Sequence, residues 1–135
     1  MNFYKLIKAA GILFLLSHPT IAQDPQNMKV ESQVLDCGEM KTSFADIKEA
    51  KETLEKTVFA FTQELKTTKR NGIKEVYYYS CDNETGFLLI KVDEREIVYR
   101  DYPRFQWKLL IETTDLDDFY DKKVRGKYTL VVRGQ

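Results

Sequence analysis

Four aspartates fall within seven positions, Asp115, Asp117, Asp118 and Asp121, and they are the first residues to weigh for chemistry. Two carboxylates facing one bond can act as acid and base, or as acid and nucleophile, on a glycosidic linkage. A histidine-free hydrolase working through Asp and Glu pairs is therefore one alternative for function. Clustered acids also suggest calcium, but these lack the glycine and the closing glutamate of an EF-hand loop. They read instead as a solvated acidic loop with helix-capping aspartates, and no metal site is assigned. The single histidine, His18, lies in an N-terminal segment expected to be removed. That leaves no Ser-His or Cys-His dyad and no imidazole ligand. Gly72 and Gly126 stand outside any phosphate-cradling run. The favoured expectation is a protein that is not an enzyme and takes no cofactor.

The N-terminal segment has the pattern of a secretory signal. Lys5 and Lys8 make a basic start, residues 9–16 form a short apolar run, and Ala22 is a small residue before Gln23. Cleavage near Ala22 predicts a secreted or periplasmic protein with no membrane span. Removing 22 of 135 residues leaves 113, enough for one domain with a modest core. The full chain has 21 basic and 21 acidic residues, and loss of Lys5 and Lys8 gives a net charge of −2. Such a balance gives no general pull toward nucleic acid or anionic lipid. Cys37 and Cys81 would both reach an oxidising compartment, where an even pair reads as a disulfide. At this separation the loop-entropy account gives an upper figure of about 4 kcal/mol of stabilisation.

Two further sets of residues are suited to binding. Tyr77, Tyr78, Tyr79, Tyr99 and Tyr102 offer large contact area with few rotatable bonds, which suits a protein-binding face. If the sheet is covered on both sides, half of them face inward. Lys122, Lys123, Arg125 and Lys127 form a basic patch beside Tyr120 and Tyr128, where bases could stack. A nucleic-acid-binding module is the other alternative, although the acids just upstream compromise the patch. Asn83-Glu84-Thr85 is an acceptor sequon on a predicted turn, relevant only in a host that glycosylates asparagine. The leading expectation is a protein partner, of unknown identity, held on the tyrosine-rich surface.

The elements follow from periodicity. Residues 23–42 read as a leader and 43–135 as a single domain. Phe44, Ile47, Leu54, Val58, Phe61 and Leu65 fall at three- and four-residue steps, which predicts a long helix from Ser43 to the Asn71-Gly72 stop, with Ser43 and Asp46 as its capping box. The period then drops to two, predicting strands over 73–80, 87–92 and 96–101. Pro103 ends the sheet and starts a short helix carrying Trp107, Leu110 and Ile111, and 127–133 reads as a last strand. In the second strand Leu88, Ile90 and Val92 oppose Phe87 and Leu89, so both sheet faces need covers. The fold class is thus α+β: an antiparallel sheet of about four strands, with the long N-terminal helix on one face and the short helix with its following loop on the other.

One stretch resembles a known family. Leu88-x-Ile90-x-Val92, a tight turn, Tyr99, Tyr102-Pro103, Trp107, Leu110, Phe119-Tyr120-Asp121, Val124 and Gly126-Lys127-Tyr128 are similar to the KTSC domain, found at the C-terminus of some lysyl-tRNA synthetases. The likeness spans about residues 76–128. Glu94 stands where the family has its turn glycine, Ile97 where it has its first tyrosine, and Tyr102 replaces valine. Thr113, Asp115 and Asp117 likewise replace the family's alanine, serine and glycine. The resemblance implies a compact α+β fold and no particular reaction.

Overall fold

Alternating apolar residues over 73–103 fold into an antiparallel meander, the centre of the computed structural model, which describes residues 34–132. The signal segment and the first part of the leader lie outside the described residues. In chain order come strand β1 (Leu35–Asp36), a 3-10 turn (Cys37–Glu39), helix α1 (Ile47–Lys56), and strands β2 (Thr57–Val58), β3 (Phe61–Lys66), β4 (Ile73–Ser80), β5 (Thr85–Val92) and β6 (Arg95–Pro103). Helices α2 (Arg104–Glu112) and α3 (Leu116–Lys123) and strand β7 (Thr129–Leu130) complete it. Strands β3 to β7 form one antiparallel sheet in sequential order, and β1 pairs with β2 in parallel. The class is α+β as expected, with five strands in the main sheet rather than about four. Among the described residues no helix is long and apolar enough to cross a membrane.

The predicted long helix is the main correction. It stops at Lys56, and the rest of that span is β2 and β3. Phe61 and Leu65 are four residues apart, which puts them on one side of either a helix or a strand. The β-branched pair Thr57-Val58 and the aromatics Phe59 and Phe61 tip the choice to extended chain. As a strand, Phe61 and Leu65 pack on the core, and Gln63 on the same side accepts a 2.8 Å hydrogen bond from Trp107 Nε1. Phe59 turns to the opposite face against Tyr79, ring centroids 5.1 Å apart. The cap moves too: Asp46 accepts from the Glu49 amide at 2.8 Å, and Glu49 accepts from the Ala45 amide at 2.9 Å. Gly72 does adopt a left-handed φ of +86°, but in the β3–β4 connection, where an added Cβ would lie 2.5 Å from an Asp117 carboxylate oxygen.

A second correction concerns the acidic loop, which is helix α3. Asp115 caps it by accepting from the Asp118 amide at 3.1 Å, and Leu116, Phe119, Tyr120 and Val124 give it an apolar side. The last strand is shorter than predicted. After β7 the chain continues with Val131, whose amide donates to the Val98 carbonyl and whose carbonyl accepts from the Phe44 amide.

Both faces of the sheet are covered. One buries Val76, Tyr78, Leu88, Ile90 and Tyr99 beneath Trp107 and Leu110 of α2 and Leu116 and Tyr120 of α3. The other buries Phe87, Leu89 and Val98 beneath Ala50 and Leu54 of α1, with Phe44, Val131 and Val132 alongside. Two register shifts adjust the alternation. Between Gly86 and Leu88 the register slips by one residue against β6, where Asp101 takes a left-handed φ of 56°. Tyr99 and Tyr102, three apart, therefore enter the same core instead of opposite faces. A similar shift between Ile73 and Glu75 puts Ile73 with Val76.

Candidate functional site

The residues singled out from sequence are distributed over the whole domain. Cys37 and Cys81 form the disulfide, Cα atoms 5.7 Å apart, and it fastens the 3-10 turn to the β4–β5 hairpin. Part of the predicted leader is thereby built into the fold. Of the tyrosines, Tyr78, Tyr99 and Tyr102 are buried in the core under α2 and α3, while Tyr77 and Tyr79 stack half-buried on the opposite face. The five do not make one exposed surface, because strand alternation and the bulge send three of them inward. Burial pushes the Tyr78 hydroxyl up to about 12, and it donates to the Tyr102 carbonyl at 3.0 Å. Asn83 is exposed in the hairpin, where its side-chain oxygen accepts from Arg104.

The acids and bases of α3 mostly answer each other. Lys122 pairs with Asp118 at 2.8 Å and Arg125 with Asp121 at 3.2 Å, each one helical turn apart. Asp117 reaches out of the helix to Lys69 Nζ at 2.7 Å and the Ile73 amide at 2.9 Å. The Lys69 ammonium foremost, and then that amide, hold its carboxyl below the usual range. Lys123 and Lys127 are exposed. The basic patch is thus interleaved with acids along one helix, and the four aspartates serve as a cap and as ion-pair partners. Among the described residues no three Asp, Glu, Cys or His side chains converge as a metal cluster.

A groove of about 590 Å³ opens between the start of α1, the start of β6 and the α3–β7 connection, a size within the usual range for ligand sites. Ile47, Ile97, Tyr128 and Leu130 give it apolar walls, and Tyr99 and Tyr120 line it from the core. Their hydroxyls are 2.9 Å apart. Burial, and then the bond to Tyr120, push the Tyr99 phenol above its ordinary value, so at neutral pH it is a hydrogen-bonding group and not a base. Arg95 and Arg125 stand at the groove together with Glu94 and Glu96. Glu96 is held by Lys51 at 2.8 Å and Lys91 at 3.8 Å.

No family profile, characterised protein or solved structure matched the chain.

The groove can therefore be read only through its own chemistry. Apolar walls, two hydrogen-bonded tyrosine hydroxyls and a mixed set of Arg and Glu side chains make a lining of the kind that recognition sites use. Sequence reasoning reached Tyr99 as a candidate and noted Tyr120 and Tyr128 only as neighbours of the basic patch. It missed Ile47, Arg95, Ile97 and Leu130, which three different elements, α1, β6 and β7, bring together. The one signal available was the resemblance, which quotes Tyr99, Tyr120 and Tyr128 in a single pattern.

Proposed function

We propose that this chain works outside the cytoplasm as a non-enzymatic binding protein, built on a divergent KTSC-type domain, and that it seats a partner polypeptide in the groove between α1, β6 and the α3–β7 connection. The carrying observation is the groove itself: apolar walls from Ile47, Ile97, Tyr128 and Leu130 around a buried tyrosine hydroxyl pair, the mix of apolar contact and few polar groups that recognition sites use. Location outside the cytoplasm is supported by the signal pattern and by the Cys37–Cys81 disulfide. The KTSC reading is supported by where its quoted residues fall. Leu88, Ile90, Tyr99, Tyr102, Trp107, Leu110, Tyr120 and Val124 all belong to one core. The partner surface accordingly shifts from the five tyrosines of the sequence reading to Tyr99, Tyr120 and Tyr128.

A photo-crosslinking residue placed in turn at Ile47, Leu130 and Phe105 tests the site, since Phe105 is exposed on α2 away from the groove lining. Adducts to one extracytoplasmic protein from the two groove positions are expected, those from position 130 being abolished by Ile47→Glu. Glutamate is acceptable at the first position of a helix, and because Ile47 also packs on the α1-side core a circular dichroism melt of the variant accompanies the crosslinking. Equal crosslinking from Phe105, or no effect of Ile47→Glu, would reject the groove as the seat.

A further inference from the structure

We propose that β3 pairs edge to edge with β3 of a second copy of this chain, antiparallel about a two-fold at Leu65, which joins the two main sheets into one. The two ends of the sheet are finished differently. Beyond β7 the chain closes its own edge: the Phe44 amide donates to the Val131 carbonyl, and Phe44 bridges to Val132. At the other end β3 has only β4 beside it among the described residues. It is six residues long, contains no proline and pairs with β4 without a bulge. An edge strand of that kind is a template for a further strand. Its backbone phase is fixed by the Thr67 amide, which donates to the carbonyl of Lys74, directly opposite in the continued register. Phe61, Gln63 and Leu65 therefore turn their backbone groups to β4, and Thr62, Glu64 and Lys66 turn theirs outward. The outward three are exposed.

Charge selects the occupant. Charges of one sign guard an edge against pairing, but β3 carries Glu64 and Lys66, opposite in sign and two positions apart on one face. They lie 3.5 Å apart with side chains 55 % and 56 % exposed, so their mutual attraction is weak and both can turn to a neighbour. Glu75, opposite Lys66 on β4, is held by Lys91 at 2.8 Å. In a two-fold pair, residues with outward backbone groups must oppose one another, which allows centres at Gln63, Glu64 or Leu65. Centred at Glu64, that carboxylate opposes itself. Centred at Gln63, it meets only Thr62. The Leu65 centre sets Glu64 opposite Lys66 of the second copy, and does so twice, with both backbone hydrogen bonds exchanged at each pair. On the other face Leu65, which packs on the core, meets Leu65 of the second copy. The groove lies at the β6 and β7 end of the sheet, so the dimer carries one at each end.

The test is sedimentation velocity on the full secreted protein, from micromolar to submillimolar concentration, with a circular dichroism melt of each variant. The parent is expected to pass from monomer to dimer. Glu64→Lys and Lys66→Glu each set like charges opposite one another twice and should weaken the dimer at least about tenfold. The double variant Glu64→Lys/Lys66→Glu should restore the parent's affinity, because the pairs are re-formed with their signs exchanged. Leu65→Cys gives a second readout. At a non-hydrogen-bonded position on the two-fold the Cα atoms are about 4.5 Å apart, within disulfide reach, and the native cysteines are already bonded to each other. Oxidation should therefore give a covalent dimer on a non-reducing gel, whereas Gln63→Cys should give none. If a charge reversal unfolds the domain, the cysteine pair decides. A parent that stays monomeric throughout overturns the proposal, as does a dimer indifferent to the single reversals or not restored by the double variant. A covalent dimer from Gln63→Cys and not from Leu65→Cys overturns the two-fold. A photo-crosslinking residue at Glu64 that captures a different polypeptide, on a protein that stays monomeric, assigns the edge to a partner's strand and overturns the second copy.

Discussion

The two faces of the sheet are built differently. Beneath α2 and α3 the surface is apolar from Ile73 to Tyr102, with Trp107 stacked on Tyr78 at 5.4 Å and fully buried. Beneath α1 the apolar part ends at Leu89 and Val98, and the sheet continues as a ladder of alternating charge. Glu75, Lys91 and Glu96 are register neighbours across β4, β5 and β6, linked at 2.8 Å and 3.8 Å, and Lys51 of α1 closes the series at 2.8 Å. The first face is covered by helices that follow the sheet directly in sequence. The second is covered by α1 and Phe44, and besides the Lys51–Glu96 pair it has two long-range ties: the disulfide and the bridge from Phe44 to Val131 and Val132 beyond β7. Local chain connectivity suffices for one cover, and cross-linking assists the other.

The largest expected effects come from charges placed in either core. Ile90→Asp and Leu89→Asp sit on opposite faces at 0 % and 3 % exposure, and each should unfold the domain, because an unpaired buried carboxylate exceeds the few kcal/mol by which such a domain is stable. Circular dichroism melts would show no cooperative transition for either. A folded Leu89→Asp alone would mean that the α1 face is dispensable.

Removal of packing ranks the faces. Trp107→Ala should cost about 3–5 kcal/mol, and Leu54→Ala, at the centre of the α1 cover, should fall toward the lower end of about 2–5 kcal/mol. Urea titrations of the two variants test the order, and a reversed ranking would break the comparison.

What sequence reasoning captured follows the same division. The meander, its two tight turns, the Pro103 helix start and the opposed sides of β5 were legible because their signals are local: period two, turn residues and a proline. The error at 57–66 arose because a four-residue spacing satisfies both periods; the β-branched and aromatic residues of 57–61 favour extended chain only weakly by themselves, and contacts with Trp107 and Tyr79, distant in sequence, hold it there. Helix α3 was hidden by its four aspartates, which as isolated residues favour loops and as a set provide a cap and ion pairs. The groove was least legible. Arg95 and Ile97 lie at a turn and strand start, Ile47 begins α1 and Leu130 ends β7, and no local pattern predicts that they meet.

Opening the disulfide should separate the covers. Cys37→Ser/Cys81→Ser is expected to lose about 2–4 kcal/mol, with amide exchange accelerating first in β1, β2 and the 3-10 turn, while α2 and α3 respond only through global unfolding. Uniform acceleration across all elements would show that the tie supports the domain as one unit and not the α1 face in particular.

The smallest effects are in acid. Lys69 foremost lowers the Asp117 carboxyl from its ordinary 3.8, and Lys91 foremost, then Tyr77, lowers that of Glu75 from 4.5. A carboxyl depressed in the folded state contributes stability above its unfolded value, and that contribution is lost as pH falls through the folded value. Both groups keep solvent contact, with side chains 39 % and 29 % exposed, so screening limits each pair. Asp117→Asn removes the link from α3 to the β3–β4 connection, and Glu75→Gln removes one rung of the ladder. Each should lower the melting temperature slightly at neutral pH and converge with the parent as pH falls through the depressed folded values, below the ordinary 3.8 of Asp117 and 4.5 of Glu75. Because Glu75 belongs to a chain of four charges and Asp117 to an isolated pair, the Glu75 variant should also weaken the Lys91 and Glu96 contacts. Combining Glu75→Gln with Lys51→Met should therefore depart from additivity, whereas combining Asp117→Asn with Lys51→Met should not.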